Sequence, residues 1–228
     1  MRSKHGGLSI IEGLGGHCPA EAGAEWTPKR HSPNVRLCCP QGGVPEILKE
    51  MRAAYRRRIK TSRRKWGDVV IEHFTGRDFS PEDYSLYLRL ADKARVKREF
   101  LPAGFFREMP LEHIYIGARV GKERIGWVLL VADGRKLYFL FAGLGPQNKA
   151  YDTYKNLIWE MVQYACDQGY HSIDLGTGAE TAKARLGGEM EEIFSLVTHK
   201  SRLINHVLKR FPFFEYRARY TQPNVFRE

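Results

Sequence analysis

Along this chain the apolar positions change period several times, and each change marks an element. Val44, Ile47, Leu48, Met51, Tyr55, Ile59 and Trp66 recur at three- and four-residue spacing, which predicts one long amphipathic helix. Asp68 to Phe74 is rich in β-branched residues and stops at Thr75-Gly76, the pattern of a strand. Ser80-Pro81-Glu82-Asp83 supplies an N-cap, a proline at the first helical position and early carboxylates, so a helix is expected from there to about Phe100. Leu101-Pro102 ends it, and Gly104 to Met109 reads as a short helix stopped by Pro110.

Three strand-like runs follow, His113 to Val120, Arg124 to Ala132 and Lys136 to Gly143. Gly121-Lys122 and Asp133-Gly134 separate them, and the Asp-Gly pair favours the tight turn of an antiparallel hairpin, which predicts a meander. Tyr154, Leu157, Ile158, Met161, Val162, Ala165 and Cys166 then share one helical face, closed by Gly169 as a C-terminal cap. Trp159 lies off that stripe and is a candidate partner surface. After it come a short strand at Ser172 to Gly176, a small helix around Ala179 to Leu186, a strand at Glu192 to Thr198 and a helix near Leu203 to Lys209, ahead of the aromatic segment from Phe211 to Tyr216. The order predicts an α+β fold, a mixed sheet covered by helices.

Residues 1–43 fit no period. They hold eight of the 22 glycines and three of the four cysteines, and read as an irregular segment with one short extended piece at Ser32 to Leu37. Over all 228 residues, 43% hydrophobic and 12% aromatic content describes a folded protein with a core. No apolar run is longer than that of Trp127 to Ala132, far short of the ~20 residues that cross a bilayer, and no apolar signal core follows the basic N-terminus. A cytoplasmic protein with no integral membrane segment is expected. Cys18, Cys38, Cys39 and Cys166 include no C-x-x-C pair, so reduced thiols are expected too.

The formal net charge of +11 is concentrated in one place: Lys49 to Lys65 holds nine basic residues and one glutamate. Arg56, Arg57, Arg58, Lys60, Arg63, Arg64 and Lys65 cover the polar side of the predicted long helix, a surface suited either to solvent or to phosphates of RNA, a nucleotide carrier or lipid. Motifs for P-loop, zinc-protease, esterase-elbow and dinucleotide chemistry are absent, and the eight histidines include no i, i+4 pair, so no metal site is expected.

The informative stretch is Phe141 to Gly188. A strand ending Phe141-Ala142-Gly143, a loop to Ala150, a long helix, a strand ending Asp174-Leu175-Gly176 and then Lys183-Ala184-Arg185-Leu186-Gly187 follow one another. This resembles the GNAT acyltransferase superfamily, in the branch of the Fem-type peptidoglycan aminoacyl transferases and CelD-like proteins, where a strand with Asp and Gly precedes K-x-x-[FL]-G. The resemblance implies a mixed, mostly antiparallel GNAT-like sheet flanked by helices, with two parallel strands splayed to expose backbone donors. It implies transfer of an acyl group from acyl-CoA to an amine on a small metabolite or an envelope or polysaccharide precursor. An aminoacyl-tRNA donor, which suits the basic helix, and a catalytically silent module binding RNA or another anion are the alternatives. The loop Gly143 to Ala150 departs from the usual R/Q-x-x-G-x-G/A pattern, and Pro146 in it has no N–H for a pyrophosphate.

Asp174 and Glu180 are candidate proton acceptors or orienting groups. Gly143, Asn148, Tyr151, Lys155, Gly176, Gly178, Lys183 and Gly187 are candidate carrier contacts, while Tyr154, on the apolar stripe, reads as core. The expected organisation is an irregular segment or remnant of a preceding half over 1–43, a basic linker helix over 44–67 and a GNAT-like domain over 68–228.

Overall fold

Strands at or near the edges of the fold alternate buried and more open positions, those at its centre are buried in unbroken runs because both faces are covered, and 3.6-residue periodicity builds the covers. The computed structural model describes residues 2–5, 8–15, 25–93, 100–211, 216 and 221–227. Eleven strands are described: β1 (Arg2–His5), β2 (Leu8–Gly15), β3 (Thr27–Arg30), β4 (Asn34–Cys38), β5 (Val70–Phe74), β6 (His113–Val120), β7 (Glu123–Asp133), β8 (Lys136–Leu144), β9 (Ser172–Asp174), β10 (Glu189–Glu191) and β11 (Ile193–His199). The helices are α1 (Gly43–Glu50), α2 (Ala53–Arg64), α3 (Pro81–Asp92), α4 (Ala103–Arg107), α5 (Asn148–Tyr151), α6 (Thr153–Asp167), α7 (Glu180–Ala184) and α8 (Arg202–Arg210).

The main sheet has the order β10-β4-β9-β8-β7-β6-β5, and every neighbouring pair is antiparallel except β8 and β9. This is the α+β arrangement expected, with its meander at β6, β7 and β8. Gly134 in the β7–β8 turn has φ of 56°, the left-handed geometry that an Asp-Gly turn supplies. One sheet face packs on α6, which α1 and α2 cover in turn; its core includes Ile116, Val128, Leu130, Leu157, Ile158, Val162 and Ile173. The other face packs on α3 and α4 through an aromatic core of Phe74, Phe79, Tyr87, Phe106, Tyr115 and Trp127. Asp83 at the start of α3 is fully buried and ion-paired with Arg124, which also meets Glu72.

Several sequence expectations change. The segment over 1–43 is not irregular in its described part: it carries β1 to β4. β4 lies inside the main sheet between β10 and β9, while β1, β2 and β3 join β11 in a second sheet of order β1-β2-β11-β3. The long basic helix is two helices. It breaks at Met51-Arg52, where Met51 bridges to Phe226 and the Arg52 amide donates to the Val225 carbonyl at 2.8 Å. α3 ends at Asp92, and the expected continuation over 94–99 lies outside the described residues, as does most of the aromatic segment after Phe211. Trp159 is buried, because α6 is covered on two sides and one stripe is not its only apolar face. Cys38, Cys39 and Cys166 are free thiols. No described helix is long and apolar enough to cross a membrane.

Gly143, read as a carrier contact, has a packing role. A Cβ there would fall 2.4 Å from the Trp127 indole nitrogen and 2.9 Å from Leu86 Cβ. The indole also donates to the Asp83 carbonyl at 2.9 Å, so it has no room to yield. Gly143→Ala should therefore destabilise the protein by about 2–3 kcal/mol through overpacking, read as a clear fall in the thermal midpoint; an unchanged midpoint would show that the α3 face is loosely packed.

Candidate active site at the fork of two strands

β8 and β9 pair in parallel only over Lys136 to Tyr138 against Ser172 to Asp174. Past Tyr138, β8 runs on to Leu144 while β9 stops and the chain turns away at Gly176. The β7–β8 register shifts so that Leu130 faces Phe139 and Leu129 faces Phe141, which leaves Leu140 as a bulged residue at the fork. Among the described residues, the edge of β8 beyond the fork has no ladder partner on the β9 side, and such backbone groups are the donors an oxyanion needs. A cavity of about 370 Å³ opens here, walled by β8 from Phe139 to Leu144, by Tyr87, Leu90 and Ala91 of α3, and by Asn148, Tyr154 and Ala179.

A buried polar cluster backs this cavity. Asp174 Oδ2 accepts from Asn34 Nδ2 at 2.7 Å and its Oδ1 accepts from the Gly176 amide at 2.8 Å, so both carboxylate oxygens hold the turn after β9. Glu180 is buried and accepts from the Ser32 hydroxyl. Lys183 is only 1% exposed; its Nζ donates to the carbonyls of Gly176 at 3.1 Å and Thr177 at 3.0 Å and sits 5.5 Å from the centre of the Phe139 ring. Burial lowers the Lys183 ammonium to about 8, against the pull of the Glu180 and Asp174 carboxylates that favour its charge. Burial, and then the Glu180 charge, push the Tyr154 phenol well above its ordinary value and keep it protonated.

The turn between β9 and α7 is tightly wound. Gly176 and Gly178 have φ of 67° and 77°, and Ala179, at 51°, follows them. Among the described residues only Asp152 and Ala179 are non-glycine positions in the left-handed region, and both border the site. The strain at Ala179 aims Glu180 inward from the first turn of α7. Ala179→Gly should relieve it and raise stability by about 0.5–1 kcal/mol; a lowered thermal midpoint would mean that the Ala179 methyl contributes packing instead.

The loop before α6 shows how a carrier would meet this end of the helix. The amides of Ala150 and Tyr151 donate to the Gln147 carbonyl, the Asp152 amide to the Asn148 carbonyl, and the Tyr154 amide to Asn148 Oδ1 at 2.9 Å. The Asp152 carboxylate stands at the helix start, where Lys65 and Lys155 bond it at 3.1 and 3.2 Å. Although its partial burial acts the other way, these two ammonium groups hold it below the ordinary aspartate range. Lys155 is thus committed to Asp152, and the Tyr151 carbonyl accepts from Asn156 at 3.0 Å. The polar face of α2 lies beside this helix start: Arg63 pairs with Glu160, the Ser62 hydroxyl reaches Asp152, and Arg57, Arg58, Lys60 and Arg64 are exposed.

The fork therefore brings Asn148, Gly176, Glu180 and Lys183 together, with Gly178 in the same turn. Gly187 lies elsewhere: its φ is 100° and a Cβ would meet the Phe226 ring at 2.6 Å, a packing role against the C-terminal segment. Sequence reasoning missed Ser32 and Asn34, which hold the two carboxylates, and read Tyr154 as core only. The one available signal for the first two was the extended Ser32 to Leu37 piece, with two polar residues at its start.

A family model described as an acetyltransferase (GNAT) domain matches residues 49–184. No curated protein matches the chain in sequence. Among solved structures, the C-terminal domain of an assigned lysylphosphatidylglycerol synthetase from Agrobacterium fabrum aligns with a TM-score of 0.57 at 10% identity, over 82% of this chain and 65% of that one. L-PGS from Bacillus licheniformis aligns at 0.54 and 9% identity, over 82% and 66%, and FemX at 0.58 and 8%, over 90% and 69%. The chain spans about two thirds of the length of these structures, and at such identities the likeness is one of fold.

Proposed function

Because the chain belongs to the acetyltransferase (GNAT) domain family, we propose that it transfers an acyl group to an amine at the β8–β9 fork, and that the acyl group arrives as an aminoacyl-tRNA. The observation that carries the choice of donor is the start of α6. The amides of Ala150, Tyr151 and Asp152 just before it and of Tyr154 in its first turn are engaged within the chain, and the Asp152 carboxylate stands beside them, so a coenzyme A pyrophosphate would meet few free donors and a like charge. The exposed cations of α2 beside it suit a long phosphate backbone. The resemblance of the Asp174 to Gly187 stretch to the Fem-type aminoacyl transferases supports the same donor.

In this reading the neutral amine attacks the ester carbonyl, the carbon–nitrogen bond forms and the bond to the ribose oxygen breaks. Glu180 takes the amine's proton, Tyr154 gives its phenolic proton to the leaving oxygen, and the proton on Glu180 then returns to the phenolate, so that both groups end as they began. The unpaired edge of β8 stabilises the developing oxyanion. Lys183 and Asp174 are positioning residues that hold the turn carrying Glu180. The acceptor is an amine on a small molecule or an envelope precursor.

A second reading, acyl-CoA as donor, is favoured by the family's description as acetyltransferases. A test supplies labelled aminoacyl-tRNA and acetyl-CoA separately, with a panel of amines, and follows label and thermal midpoint together. Label moving from tRNA to amine, with a tRNA-dependent stabilisation that weakens steeply with salt, is expected. Transfer from acetyl-CoA would instead establish the second reading, and tRNA binding with no transfer would leave a silent binding module.

A further inference from the structure

Helix α8 presents a broadly exposed apolar stripe. Leu203 is 75% exposed, Ile204 41% and Val207 38%. A different side of the helix holds it to the protein: Leu208 is buried, and the Asn205 side chain accepts from the His199 amide at 2.6 Å and donates to the His199 carbonyl at 2.8 Å. With 3.6 residues per turn, Leu203, Ile204 and Val207 fill a sector roughly 100° wide, Asn205 and Leu208 the sector that packs on β11 and β3, and Arg202, His206 and Arg210 the third. Between 200 and 211 the chain has Lys200, Arg202, Lys209 and Arg210 and no acidic residue.

We infer that α8 is a membrane-surface helix, whose apolar sector enters an anionic bilayer while the flanking arginines remain among the headgroups. Three exposed branched aliphatic side chains in one sector are more than isolated surface apolar residues. Their combination with a cationic sector and no acid is the composition of helices that lie in the interface plane. A second copy of this chain fits less well, since a two-fold contact through the stripe would set the same cationic edges side by side. An RNA partner would use the charges and leave the apolar sector in water. The inference stands apart from the donor and acceptor at the fork.

The test is co-sedimentation of the full chain with vesicles of phosphatidylcholine containing phosphatidylglycerol, against vesicles of phosphatidylcholine alone. Binding to the anionic vesicles is expected. The double variant Leu203→Asp, Val207→Asp should bind at least tenfold more weakly with an unchanged thermal midpoint, because both side chains are exposed. Arg202→Glu with Arg210→Glu should remove the preference for anionic lipid. Three results would overturn the inference: no vesicle binding by the wild type, equal binding by the aspartate double variant, or a wild-type dimer in sedimentation velocity that the aspartate variant abolishes. Vesicle binding lost only on charge reversal of Arg57 and Arg58 would assign the attraction to α2 and also overturn it.

Discussion

Lys183→Met should cost the protein about 2–4 kcal/mol of stability and most of its turnover. The substitution keeps most of the volume but removes the ammonium that bonds the carbonyls of Gly176 and Thr177, and those carbonyls lie in a turn whose next residues are left-handed. It also removes the positive charge that the buried Glu180 and the Asp174 carboxylates share. The turn would loosen and Glu180 would lose its fixed position, so kcat should fall by at least tenfold with the chain still folded. A solvent-facing lysine, by contrast, would be replaced with little change in either quantity.

The same substitution has a pH signature. Burial lowers Lys183 from 10.5 to about 8. Between those values the unfolded chain still holds a proton that the folded chain has released, so this group's contribution to stability rises as pH climbs from about 8 to 10.5, by roughly 3 kcal/mol at most. Below about 8 both states are protonated and the contribution is flat. Thermal midpoints of wild type and Lys183→Met should therefore diverge in favour of wild type across that alkaline window. Parallel curves would show that the ammonium is not desolvated as the structure has it.

Tyr154→Phe should lower kcat by about a hundredfold while leaving KM and the thermal midpoint nearly unchanged. The ring keeps its place on the apolar stripe of α6, against the core and the cavity it helps to line, and only the hydroxyl is lost. Its phenol is held protonated by burial and by the Glu180 charge, which makes it a donor across the neutral range. Steady-state kinetics on the purified variant checks this. A change in KM alone would make Tyr154 a binding wall, and no change would remove it from the proton path.

The parts of this fold that the sequence made legible are those whose signals are local. The β6–β8 meander has a two-residue Asp-Gly turn between alternating runs, and α6 has a full apolar stripe and a glycine cap. What escaped depends on partners distant in the chain. Ser32 to Leu37 reads as a short extended piece, but nothing near it announces that the strand lies between β9 and β10, because its pairing residues lie more than a hundred positions on. The break between α1 and α2 is set by Phe226 and Val225, close to the other end of the sequence.

The site was half legible for the same reason. The Asp-x-Gly and K-x-x-L-G spacing led to Asp174, Gly176 and Lys183, yet the burial of Lys183 depends on a turn conformation that composition does not display. Gly143 and Gly187 looked like places for a ligand, and both are filled by rings, from Trp127 and Phe226. Tyr154 was hidden by its own regularity: a residue on the apolar stripe is core by pattern, and here its ring is both core and cavity wall.

The proposed place of acyl transfer is the cavity at the β8–β9 fork. The most direct test of that placement is single-turnover label transfer to amine by wild type and by Ala91→Trp, which fills the cavity from the α3 wall. Transfer by the wild type is expected, with its loss, by a hundredfold or more, in a variant whose thermal midpoint is unchanged. Equal transfer by the two proteins, or none by the wild type from either tRNA or coenzyme A carriers, would contradict it.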